Sequence, residues 1–168
     1  MYKRQFFNQA GQANVDVEDM PNFSDASPAI REEAVQSSAE GLRHLAGVGR
    51  QMGLRVITEN FRALGGRAGA LTAILDLCEG AVGLCVDFGN FKGPDKYDEL
   101  AALMPRATSV HAKADFHKEL QMDRTDFDRC LQVARDAAFA GPYSLIFSSP
   151  GDEWEGVAKT QEVVEAWL

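Results

Sequence analysis

VGLCVDFGNF, residues 82–91, carries no charge until Asp87, and the apolar residues before it are mostly small or β-branched. Such a run reads as a strand buried on both faces, whose carboxylate emerges at the C-terminal end just before Gly89 and Asn90. Parallel α/β folds keep their chemistry at that end. Two further segments repeat the design. VITENF (56–61) ends its apolar run at Glu59, and SVHAKADF (109–116) sets His111 and Lys113 two residues apart, hence on one face of a strand. Three strands thus deliver a metal-binding or proton-transferring side chain to one rim. The competing reading makes each of these residues the start of a surface loop, but three in equivalent positions speak against it.

Composition narrows the classes. At 168 residues the chain is long enough for one domain with a substantial core, so we expect a single domain over 1–168. A formal net charge of -8 argues against nucleic acid as partner, because phosphate binding needs clustered Lys and Arg. A small molecule is the expected partner. Cys78, Cys85 and Cys130 are odd in number and lack CxxC spacing, which reads as reduced core thiols in a cytoplasmic protein. No apolar run approaches the ~20 residues that span a bilayer, so no membrane partner is expected.

Outward from the central strand, helices and strands alternate. A strand remnant at Phe6 and Phe7 precedes a polar loop to Pro28. A helix then runs from about Ser27 to Gly53, with Ile30, Ala34, Leu42, Leu45 and Met52 at helical spacing. The strand Leu54–Thr58 follows, then a Gly65-Gly66 break and a helix burying Leu71, Ile74, Leu75 and Cys78. Beyond Asp87 we expect a short helix with Tyr97, Leu100, Ala101 and Met104 inward, and the strand around Val110. Next comes a helix capped by Thr125 that buries Phe127, Leu131, Ala134 and Ala138. YSLIF (143–147) is the last strand, and residues 157–168 form a closing helix with Val163, Val164 and Trp167. About five strands alternating with helices mean a parallel α/β sheet.

The set VITEN, GLCVDFGN, SVHAKADF and GPYSLIFSSPGDEWEG resembles the sugar phosphate isomerase/epimerase family of xylose-isomerase-like TIM barrels, over roughly residues 40–168. The resemblance implies a divalent metal at the barrel mouth, held by Glu59, Asp87 and His111. Glu59 and Lys113 are the implied catalytic residues, and Lys113 fits the family's His-x-Lys pattern. Asn60, Asn90, Lys113, Asp152 and Trp154 are the candidate substrate contacts. Chemistry agrees independently: two carboxylates and an imidazole suit Mn²⁺, Mg²⁺, Co²⁺ or Zn²⁺ with positions left open for substrate oxygens. The implied partner is a sugar or sugar phosphate, isomerised or epimerised through an enediolate.

Two departures qualify that expectation. The family's last-strand Glu, both ligand and acid/base, is replaced by Leu145, Ile146 and Phe147. Asp152, Glu153 or Glu155 could supply the missing carboxylate, or Asp152 caps the last helix while Glu153 and Glu155 favour its N-terminus. About five strands also fall short of eight, so we expect a partial (β/α)8 barrel, its C-terminal portion, N-terminally truncated and open to self-association through its sheet edges. The alternatives are a metal-dependent hydrolase or lyase on the same barrel, and a non-catalytic sugar-binding protein or inactive fragment.

Overall fold

A computed structural model describes residues 6–7, 13–14 and 28–168. Phe6–Phe7 (β1), expected to open the parallel sheet, instead pairs antiparallel with Ala13–Asn14 (β2). Among the described residues the parallel sheet therefore has four strands rather than about five: β3 (Ile57–Glu59), β4 (Gly83–Asp87), β5 (Ser109–Lys113) and β6 (Tyr143–Ile146), in that spatial order. Each is joined to the next by helix, as parallel neighbours require. The helices are α1 (Pro28–Gln51), a kinked single turn α2 (Arg62–Gly65), α3 (Ala68–Leu77), α4 (Lys96–Leu103), α5 (Arg124–Asp136) and α6 (Glu153–Trp167).

The register assigns the two faces of the sheet. Glu59 pairs with Cys85, Asp87 with His111, His111 with Ser144 and Lys113 with Ile146. Because side chains alternate along a strand, Glu59, Cys85, Asp87, His111, Lys113, Ser144 and Ile146 share one face. Leu84, Val86, Val110 and Ala112 occupy the other and are fully buried. They pack with Leu71 and Ile74 of α3, Leu100 and Leu103 of α4, Phe127 and Leu131 of α5, and Val163 and Val164 of α6. β4 is buried at every position, as the uncharged run before Asp87 leads one to expect.

Some local expectations change. The cap of α5 is Asp123, whose carboxylate accepts from the backbone N–H of Asp126, and Thr125 lies inside the helix. Ala101 is exposed on α4, and Ala138 lies beyond the end of α5 with φ 52°, so neither belongs to a buried stripe; Cys130 completes the α5 stripe instead. Leu45 of α1 and Met52 just beyond its end are exposed, together with Val48, Leu54, Ile57 and Phe61. These residues lie on α1 and along β3, the edge strand on that side of the sheet. α6 starts four residues earlier than expected, at Glu153. Close packing of this helix on the sheet depends on Gly156, where a Cβ would run into the Phe147 ring.

A half-buried ion pair joins α4 to α5. Lys96, 5% exposed, places Nζ 2.7 and 2.6 Å from the two Asp126 oxygens, and the Tyr97 hydroxyl donates to the same carboxylate at 2.7 Å. Burial pulls the Asp126 carboxyl upward, but the hydrogen bonds from Lys96 and Tyr97 outweigh it and hold the group below its ordinary range. A depressed folded value contributes stability above the unfolded carboxylate pKa and loses it as pH falls through the folded one. Lys96→Met leaves that half-buried carboxylate without its cation and should cost about 1–2 kcal/mol at neutral pH. In denaturant titrations the deficit relative to the native sequence should shrink towards acid pH; a deficit that persists there would show that packing, not charge, was lost.

Candidate metal centre

The C-terminal residues of β3 and β4 and the middle of β5 bring Glu59, Asp87 and His111 together. One ligand-type atom from each lies within 4.8 Å of the other two. His111 Nδ1 stands 3.6 Å from Glu59 Oε1 and 3.5 Å from Asp87 Oδ2. Donors sharing one cation through bonds of about 2.0–2.3 Å are separated by about 3–4.6 Å, so this spacing suits a bound divalent ion without rearrangement of the strands. The donor set, two carboxylate oxygens and an imidazole nitrogen, is also chemically right for Mn²⁺, Mg²⁺, Co²⁺ or Zn²⁺.

The surroundings explain the geometry. The Asp87 side chain is 4% exposed, whereas Glu59 and His111 are 31% and 29% exposed, so the cluster has a buried floor and an open side. Asp87 Oδ1 accepts from the backbone N–H of Gly89 at 2.7 Å, a turn that fixes the carboxylate. Gly89 is also where Lys113 passes: a Cβ there would lie 2.8 Å from the lysine Cδ. Asn90 Nδ2 donates to Glu59 Oε1 at 2.8 Å, and Asn90 Oδ1 accepts from Lys113 Nζ at 3.3 Å. Glu59, Asn90 and Lys113 therefore form a continuous polar rim above the buried Asp87.

Of the other residues singled out in the sequence, Asn60 is placed differently from expectation. It is fully buried, with its amide committed to the backbone of Asp87, so it offers no surface to a substrate. Asp152 caps α6 by accepting from the Glu155 N–H at 2.9 Å, and Glu155 pairs with Lys159 at 2.9 Å. Among the described residues no carboxylate of residues 152–155 joins the Glu–Asp–His group. Trp154 is 84% exposed on the first turn of α6. The pocket face of β6 carries Ser144 and Ile146, while Phe147 packs against Phe116 with ring centroids 5.2 Å apart. Sequence reasoning gave no role to Gly89, although its place two residues after Asp87 signals a carboxylate-to-N–H turn. A groove of about 660 Å³ between α1, α3 and the 61–65 turn also opens beside Glu59.

No protein-family model matches the chain, and no curated protein matches it in sequence. Among solved structures it is similar to a D-allulose 3-epimerase from Methylomonas sp., with a TM-score of 0.61 and 18% identity over 85% of this chain and 57% of that one. The fold is a partial TIM barrel. This chain spans a little over half the length of that epimerase (57%), and its rim cluster sits at the C-terminal ends of the strands, where TIM barrels carry their active sites.

Burial pushes the Asp87 carboxyl above its ordinary range, and the Glu59 carboxylate adds to the rise; Lys113, the Gly89 N–H and His111 pull it part of the way back. The folded chain thus binds that proton more tightly than the unfolded chain. The stability Asp87 contributes is present below the unfolded carboxylate pKa and is lost as pH rises through the raised folded value. Asp87→Asn, which keeps the acceptor for Gly89, should raise the metal-free melting temperature at neutral pH, with the gain fading towards acid. Thermal melts across pH check this, and a loss of stability at pH 7 would contradict it.

Proposed function

We propose that this chain carries the metal-binding rim of a divalent-metal-dependent sugar isomerase/epimerase that works through an enediolate. The observation that carries the reading is the convergence of Glu59, Asp87 and His111 donors within 4.8 Å on one face of three adjacent parallel strands. The similarity to a solved epimerase barrel supports it. Glu59, Asp87 and His111 would hold the cation. When bound, the ion supplies Lewis-acid polarisation of a substrate carbonyl.

The side chains divide the remaining work. Glu59 Oε1 is held by Asn90, so its other oxygen is the one that takes the proton from the carbon beside the carbonyl. Lys113 and Asn90, joined along the open side, meet the hydroxyl or phosphate oxygens of the sugar. Asp152 and Trp154, both exposed beside the rim strand β6, are proposed as outer substrate contacts. A net charge of -8 favours a small sugar over nucleic acid. The exposed β3 edge and its apolar neighbours are where copies of the chain would associate.

A second reading is favoured by β6, whose pocket face holds Ser144 and Ile146 where the resemblance calls for a carboxylate. Lewis-acid chemistry that needs only one proton-transfer group, as in a hydrolase or lyase, remains compatible with that wall. Two experiments decide. Mn²⁺ titration followed by electron paramagnetic resonance should show one site, weakened at least about 100-fold by His111→Ala. Incubation of ketoses and ketose phosphates in D₂O with the metal-loaded protein should place deuterium beside the carbonyl. Absence of Mn²⁺ binding would sink the metal reading. Binding without deuterium uptake would move the assignment to the hydrolase, lyase or sugar-binding alternatives.

A further inference from the structure

The ladder between the two carboxylate strands has one more rung than the backbone supplies. β3 ends at Glu59, opposite Cys85. The next residue, Asn60, is fully buried, and its side chain continues the pairing. The Asp87 N–H donates to Asn60 Oδ1 at 2.6 Å, and Asn60 Nδ2 donates to the Asp87 carbonyl at 3.0 Å. A primary amide presents an acceptor and a donor as a peptide group does, so Asn60 holds Asp87 from the side as another strand residue would. The residue it joins is one carboxylate of the cluster, and its chain neighbour Glu59 is the other.

The reverse side of this junction is tight as well. A Cβ on Gly65 would stand 3.0 Å from the Glu59 carbonyl oxygen and 3.8 Å from the Asn60 Cα, so the 61–65 turn folds back against the same two residues. Neither Asn60 nor Gly65 is among the cluster's donors. Both instead restrict where the backbone of Glu59 and Asp87 can go.

We propose that Asn60 is a positioning residue of the metal centre: its amide locks the end of β3 to Asp87 and so sets the separation of the Glu59 and Asp87 carboxylates. The inference rests on the metal reading for its consequence, but not for its geometry. Outer groups that orient ligands are worth about 10–100-fold in metal affinity. Alanine lacks both hydrogen-bonding atoms, and glutamine carries the same amide displaced by a methylene, so each breaks the rung in a different way.

The test uses the full chain. In Mn²⁺ titrations, Asn60→Ala and Asn60→Gln should each weaken binding about 10–100-fold. Leu131→Ala, a core truncation on α5 away from the rim, should lower stability while leaving Mn²⁺ affinity unchanged. Unchanged affinity in the Asn60 variants, or an equal loss in Leu131→Ala, overturns the proposal. A metal-free measurement separates it from the reading above. Amide hydrogen exchange at Asp87 should accelerate selectively in the Asn60 variants, beyond any general acceleration seen in Leu131→Ala. If the native chain binds no Mn²⁺, the metal reading falls and the exchange still decides whether Asn60 holds Asp87; protection equal to that of the native chain refutes it.

Discussion

The parallel pairing of β4 with its neighbours on both sides is the constraint on which the centre depends. β4 is buried at all five positions, and its register with β3 and β5 sets Glu59 level with Cys85 and Asp87 level with His111. A slip of one residue in either pairing would turn a donor to the helix-packed face, because strand side chains alternate. The hydrophobic demand of Leu84 and Val86 on one face therefore fixes the polar geometry on the other. Core packing and site geometry are two faces of one register.

That arrangement has an electrostatic cost. Asp87 is taken nearly out of water beside a second carboxylate, which raises its affinity for a proton, and burial is the larger cause. Lys113 and the Gly89 N–H offset part of this, and a divalent cation would offset more. Elsewhere the fold treats a half-buried carboxylate differently. Asp126 meets Lys96 and the Tyr97 hydroxyl directly and is held below its ordinary range. A carboxylate with a fixed internal cation serves structure. One beside a histidine and a second carboxylate, with an open side, is a candidate metal ligand.

The neighbouring loop shows how one composition can serve two ends. GDEWEG offered three carboxylates beside the last strand, and the structure uses Asp152 to accept from an otherwise unpaired helix N–H and sets Glu155 against Lys159 on α6. On β6 the pocket-facing positions are Ser144 and Ile146. The centre is therefore lopsided, with its carboxylates on β3 and β4, the imidazole on β5 and an apolar and hydroxyl wall beyond. Asn90 and Lys113 bridge the open side between the β4 rim and β5.

Much of this was legible in the chain. The uncharged run before Asp87, the apolar run ending at Glu59 and the alternation around His111 reported strands whose polar residues share a rim, because burial and alternation are periodic and leave a pattern in the sequence. What stayed hidden depended on partners distant in sequence. Nothing local told that Asn60 would spend its amide on a backbone 27 residues away, or that Phe6–Phe7 would pair antiparallel with Ala13–Asn14. Nor could spacing choose Asp123 over Thr125 as a cap, since both offer a side-chain oxygen near the helix start. Periodicity encodes which side of an element faces the core; which polar atom meets which is settled only when strands from separate parts of the chain are brought into register.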